Sequence, residues 1–197
     1  MWSQSVIWLI LCFSLICLPT TLAEWLKRTV SPASYGYTGV TWISSTLVVA
    51  VGNNQLVGAA VFSQDAGLTW KYSNSSFGNL YDVTSNSNVN GTILAVDDTG
   101  IVYLSKDYGY SYSQPATISA SGGLFGVALG SNGNSYAVGT NDRLYYSTSA
   151  SSYATWTAIT LSFTGTKAQL NGISTIDGVN VIAVGNRGYI FYTTSGM

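Results

Sequence analysis

No histidine occurs anywhere in this chain of 197 residues. That removes Ser-His-Asp and Cys-His nucleophilic catalysis and takes away the commonest metal ligand. Cysteine is confined to Cys12 and Cys17, inside an apolar N-terminal run. A chain processed after that run holds no disulfide and no thiolate for zinc or an iron–sulfur cluster. Charge is scarce: 8% of residues are charged and the net charge is −1. Nucleic acid or an anionic membrane surface would need a basic stripe, so neither is an expected partner. Glu24 is the only glutamate, and arginine is limited to Arg28, Arg143 and Arg187. After residue 30 no segment shows a sustained helical period with caps.

Enough apolar material remains to build a core. Hydrophobic residues make up 47% of the chain, with 14 Tyr and 6 Trp, so low charge does not mean disorder. Residues 1–23 stand apart. An apolar run from Ile7 to Leu18 is followed by Pro19 and by Thr21-Leu-Ala23, small residues at the positions a signal peptidase reads. The expectation is a secretory signal helix cleaved after Ala23, a secreted or lumenal product free of the membrane, and one domain over 24–197. The run lacks a flanking Lys or Arg in Met1–Val6, which leaves an uncleaved anchor as the alternative. Asn74-Ser-Ser76 and Asn90-Gly-Thr92 match the N-glycosylation acceptor pattern and fall where loops are expected.

The rest of the sequence is a repeat. Ser63-Gln-Asp65-Ala-Gly67-Leu-Thr69-Trp70 returns as Ser105-Lys-Asp107-Tyr-Gly109-Tyr-Ser111-Tyr112. A worn copy opens at Ser147, with Ser149 and Ser151 where Asp and Gly stood, and closes on Thr155-Trp156; a fourth opens at Thr193. The first three copies start 42 residues apart and the fourth 46 later. Apolar stretches align ahead of each copy, ending in Val40, Val83, Val127 and Ile173, then in Ala50-Val, Ala95-Val, Ala137-Val and Ala183-Val. Short Val-, Ile- and Tyr-rich runs separated by Gly, Asn, Asp and Ser read as strands and tight turns. Four strands in each unit of about 40–45 residues is the pattern of one propeller blade.

In this frame the repeated residues have structural work. Ser63, Asp65, Ser105 and Asp107 accept hydrogen bonds from turn N–H groups. Gly67 and Gly109 supply positive φ, and Thr69-Trp70 carries the chain into the fourth strand. The candidate binding surface lies at the turns between second and third strands, which carry Asn53, Asn54, Asp97, Asp98, Asn141, Asp142, Arg143, Asn186 and Arg187. Asp97, Asp98, Asp142, Arg143 and Arg187 are its charged members. Asp97-Asp98 lacks the ligand-dense spacing of a calcium loop, so no metal site and no cofactor is expected.

The Ser63–Trp70 motif resembles the Asp-box, or BNR, repeat of sialidases, sortilin-type receptors and photosystem II stability and assembly factor propellers. Leu80-Tyr-Asp-Val83, Ile93-Leu-Ala-Val96, Asp98-Thr-Gly100-Ile101 and the Ser105 box are most similar to the assembly-factor type, and the resemblance covers residues 24–197. It implies an all-β propeller of about four four-stranded blades. The sialidase branch would imply an arginine triad and a Tyr–Glu pair, which three scattered arginines and one glutamate cannot supply. The expected function is therefore a non-enzymatic scaffold that binds another protein. The alternative is a glycan-binding module or a degenerate glycosidase. Glu24-Trp25-Leu-Lys-Arg28 aligns with Thr69-Trp70-Lys-Tyr72, so an N-terminal strand is expected to complete the last blade and close the ring; the rival reading is a piece of a larger ring.

Overall fold

The computed structural model describes residues 26–30, 34–89, 91–118, 122–162 and 165–196. The leader at 1–23, Glu24, Trp25 and Asn90 lie outside the described residues. Within them, alternation of β-branched and small residues produces four antiparallel sheets in succession along the chain. The first joins β1 (Gly36–Trp42), β2 (Val48–Asn53), β3 (Gly58–Ser63) and β4 (Lys71–Tyr72). The second joins β5 (Leu80–Ser85), β6 (Ile93–Asp97), β7 (Ile101–Ser105) and β8 (Ser113–Thr117). The third joins β9 (Leu124–Leu129), β10 (Asn134–Gly139), β11 (Leu144–Thr148) and β12 (Thr157–Ile159). The fourth has three strands, β13 (Leu170–Thr175), β14 (Val181–Gly185) and β15 (Ile190–Thr193).

The facing apolar sides of successive sheets bury one another. Val49, Val51, Ala60 and Phe62 of the first sheet meet Val83, Ile93, Ala95 and Tyr103 of the second. The opposite face of the second, with Leu94, Val96, Val102 and Leu104, meets Val127, Leu129, Ala137 and Tyr145 of the third. Tyr136, Val138 and Leu144 of the third then meet Val181, Ala183, Ile173 and Phe191 of the fourth. The same positions recur at each boundary because the register is the same: Ala50↔Val61, Ala95↔Tyr103, Ala137↔Tyr145 and Ala183↔Phe191 are all cross-strand pairs. The first strands run side by side in the order β1, β5, β9, β13.

The Ser-Asp-Gly hairpins join third and fourth strands. The Ser63 hydroxyl donates to Asp65 Oδ1 (2.7 Å) and accepts from the Gly67 N–H (2.8 Å). Asp65 in turn accepts the Thr69 N–H (2.8 Å) and hydroxyl (2.6 Å). Ser105, Asp107, Gly109 and Ser111 repeat all four contacts. Gly67 and Gly109 sit at φ +89° and +92°, where a side chain would strain the turn. In the worn third copy two extra residues precede Trp156. A single 3-10 turn at Ser149–Ser151 absorbs them, with Ser152 and Tyr153 left-handed. The Trp156 indole donates to the Tyr153 carbonyl (2.9 Å) as Trp70 does to that of Gly67 (3.0 Å), so the aromatic anchor survives loss of the aspartate.

The fourth sheet differs from expectation. Leu26–Val30 form no strand and do not extend the sheet beyond β15. They line a cleft on the first sheet with Tyr37, Val40, Ala50, Val61 and Trp70. The ring is thus not closed through these residues. The physical reason is separation along the arc: β1 packs beside β5 and β13 beside β9.

Candidate functional site

The turns between second and third strands gather at one end of the sheets, where the connectors between sheets also run. The Gly58 N–H donates to the Phe77 carbonyl (3.2 Å) and the Asp142 N–H to that of Ala168 (2.7 Å), each tying a turn to the connector leading into the next sheet. Most polar side chains at this end are used internally. Asn53 Nδ2 donates to the Leu80 carbonyl (3.0 Å), and Asn54 Oδ1 accepts the N–H groups of Leu56 and Val57.

Asp97 is fully buried. Its Oδ1 accepts the Thr99 N–H (2.9 Å), the Thr99 hydroxyl (2.8 Å) and the Ile101 N–H (2.8 Å), and its Oδ2 accepts the Tyr103 hydroxyl (2.9 Å). Burial, opposed in part by the Gly78 N–H, pushes the Tyr103 phenol up to about 12, so it stays a donor. Asp98 is half-buried and accepts from Asn79 Nδ2 (2.9 Å). The Asp97 carboxylate holds the β6–β7 turn, and that of Asp98 ties the turn to Asn79 in the connector before β5. Arg187 stands exposed on a left-handed turn (φ 62°). The candidate residues therefore share an end of the fold but not a single cleft.

Asp142 and Arg143 do enter one. A cleft of about 260 Å³ at the β10–β11 turn is lined by Asn141, Asp142, Arg143 and Lys167 over a floor that includes Ile159 and Leu161. Asn141 and Asp142 occupy the two left-handed positions of the tight turn, φ 59° and 55°, which both residue types tolerate. Asp142 is buried; its Oδ1 accepts the Ala168 N–H (2.8 Å), while its Oδ2 is buried with no hydrogen-bond partner among the described residues. Lys167 was not a sequence candidate: it lies in the connector, outside the repeat, and only the fold brings it to the turn. Among the described residues no three carboxylates, histidines or cysteines gather to hold a metal ion. No helix among them is long and apolar enough to cross a membrane.

No family model matches the chain, and no curated protein matches it. Solved structures do. An ancestral GH74 enzyme superposes with a TM-score of 0.62 at 17% identity, over 76% of this chain and 23% of its own length. YCF48 bound to D1 peptide gives 0.56 at 12% identity over 86% and 56%. The outer coat vertex of COPII on membranes gives 0.56 at 12% over 77% and 44%. The fold is that of a β-propeller. The chain spans 23% to 56% of the length of these structures, and the four sheets are consecutive propeller blades.

Proposed function

We propose that this protein is a non-catalytic propeller scaffold that binds an extended segment of another protein at the Asp142–Lys167 cleft. The observation carrying this reading is the cleft that Asp142, Arg143 and Lys167 line together with Ile159 and Leu161. Such a site offers the exposed Lys167 ammonium for a carboxylate beside apolar side chains. The YCF48 structure, similar in fold, carries a peptide, which supports a peptide ligand as a use of this architecture. The paired Ser-Asp-Gly hairpins support placing the chain with the Asp-box propellers of the assembly-factor type. The apolar leader supports a secretory-pathway location.

A glycosidase needs two carboxyl groups facing each other across a sugar-sized gap. What weighs against it is the commitment of the aspartates: Asp65, Asp107 and Asp177 to turns, Asp97 and Asp98 to β6–β7, and Asp82 to the Val83 and Val127 N–H groups. The GH74 likeness keeps a glycan-binding module as the second reading.

The test is parallel probing of a synthetic peptide array and a glycan array with wild type and the Arg143→Ala/Lys167→Ala variant. Peptide signals that fall tenfold or more in the variant support the proposal. Glycan signals without peptide signals contradict it.

A further inference from the structure

Each blade carries a β-bulge at the same point of its first strand. Tyr37 and Gly39 pair with adjacent residues of β2, and Leu80 and Asp82 with adjacent residues of β6. Leu124 and Gly126 do the same on β10, and Leu170 and Gly172 on β14. Thr38, Tyr81, Phe125 and Asn171 are left over, one per blade, outside the ladder. A bulge re-aims the side chain of its extra residue and is over-represented beside functional sites. The bulges lie at the end of the fold that carries the turns between second and third strands, since Leu80 pairs with Asp97 and Leu124 with Gly139. The first strands run side by side, so the four bulged residues form a row across the inner edges of the blades.

The row is uniform in backbone and uneven in chemistry. Only the boundary between blades two and three has an aromatic on both sides: the Tyr81 and Phe125 rings meet edge to face, centroids 4.9 Å apart. The residue after the bulge departs there too. It is glycine in three blades, Gly39, Gly126 and Gly172, and Asp82 in blade two. At the boundaries on either side the inner edges close backbone to backbone. A side chain at Gly39 would come within 3.1 Å of the Val83 nitrogen, and one at Gly126 within 3.2 Å of the Ile173 nitrogen. Between blades two and three a carboxylate spans the equivalent step: Asp82 Oδ2 accepts the Val127 N–H (2.9 Å), and Oδ1 accepts the Val83 N–H (2.9 Å).

Blade packing does not call for this acid, because two boundaries close with glycine. A carboxylate drawn out of water is unfavourable unless a cation or enough donors face it. Among the described residues no lysine or arginine acts on Asp82: burial raises its carboxyl, and only the Val127 and Val83 N–H groups oppose that. Each oxygen keeps a lone pair for a further donor. The aromatic pair adjoins it, with Tyr81 directly before Asp82 and Phe125 two residues before Val127; all three side chains are half-buried. Aromatic faces attract a cation within about 6 Å of the ring.

We propose that Tyr81, Asp82 and Phe125 form a binding site for a lysine or arginine side chain of a partner polypeptide. The cation lies against the aromatic pair and donates to the Asp82 carboxylate. The site is separate from the Asp142–Lys167 cleft and opposite in charge preference: that cleft presents an ammonium, this row a carboxylate.

Nuclear magnetic resonance reads the site at the Val127 amide, which is bonded to Asp82. N-acetyl-lysine-N-methylamide and N-acetyl-arginine-N-methylamide, titrated into the full chain, are each expected to move that signal saturably. The uncharged norleucine analogue is expected to leave it in place. Asp82→Asn, nearly isosteric, should weaken the response about tenfold. Tyr81→Leu/Phe125→Leu, which keeps the carboxylate and an apolar contact, should weaken it about fivefold. An equal response to norleucine, a Val127 signal unmoved by all three probes, or a lysine response unchanged in either folded variant overturns the proposal.

Discussion

The Tyr103 hydroxyl donates to Asp97 Oδ2 across 2.9 Å while accepting the Gly78 N–H at 2.9 Å, so one buried relay ties the strand-two turn of blade two to the connector from blade one. Removing either member strands buried polar groups. Tyr103→Phe leaves the Gly78 N–H and Asp97 Oδ2 without this partner and should cost about 1–3 kcal/mol. Asp97→Ala also releases the Thr99 and Ile101 N–H groups and should cost about 2–4 kcal/mol. Urea unfolding followed by fluorescence reads both; equal small losses would show that the relay is not a unit.

The two Ser-Asp-Gly hairpins contribute to the acid limb of stability. The Thr69 hydroxyl and N–H, with the Ser63 hydroxyl, hold Asp65 at about 2. Burial pushes Asp107 upward, but the Ser111 and Ser105 hydrogen bonds outweigh it and its carboxyl sits below the ordinary value. Folded values below the unfolded one mean stability that is present above about pH 4 and lost as pH falls through the folded values. Asp65→Asn and Asp107→Asn should each lower the midpoint of unfolding at pH 7 and flatten its decline toward pH 2. A pH-resolved thermal melt checks this; parallel wild-type and variant curves would contradict it.

Asp82 has the opposite sign. Burial raises its carboxyl above the ordinary value, against the N–H groups of Val127 and Val83 that favour the charged form. A raised folded value means stability that is full below the unfolded value of about 4 and declines as pH rises through the folded one. Gly39, Gly126 and Gly172 hold the equivalent place in the other blades. Relative to Asp82→Gly, wild type should therefore lose stability as pH climbs from about 4. The difference in unfolding free energy between the two, measured against pH, gives the sign.

Asn74 is exposed, just after the outer strand of blade one, with its N–H donated to the Tyr110 carbonyl (2.9 Å). A glycan there meets no packing obstacle. Expressed through a eukaryotic secretory pathway, the protein should shift on an enzymatic deglycosylation gel, and Asn74→Gln should remove part of that shift. No shift at all would contradict glycan attachment at Asn74.

Much of the architecture was legible because the repeat punctuates itself. Ser63, Ser105 and Ser147 mark the end of a third strand in each of three blades, and Ala50, Ala95, Ala137 and Ala183 mark each second strand. The candidate site was legible only in part. Asp97 and Asp142 occupy similar turns in sequence, yet one carboxylate is saturated and the other keeps an unpartnered oxygen, a distinction set by the tertiary positions of Tyr103 and Ala168. Lys167 carried no signal because connectors do not repeat. The expected N-terminal strand was misread for a physical reason: local alignment with Thr69-Trp70-Lys-Tyr72 records a likeness of residues, not which sheet lies within reach, and Leu26–Val30 form no strand.

Peptide binding at the β10–β11 cleft tests the account most directly, since Asp142, Arg143 and Lys167 line it together. On a synthetic peptide array the unmutated protein should give signals that fall tenfold or more in the Arg143→Ala/Lys167→Ala variant. Equal signals from the two proteins, or glycan signals without peptide signals, would contradict the account.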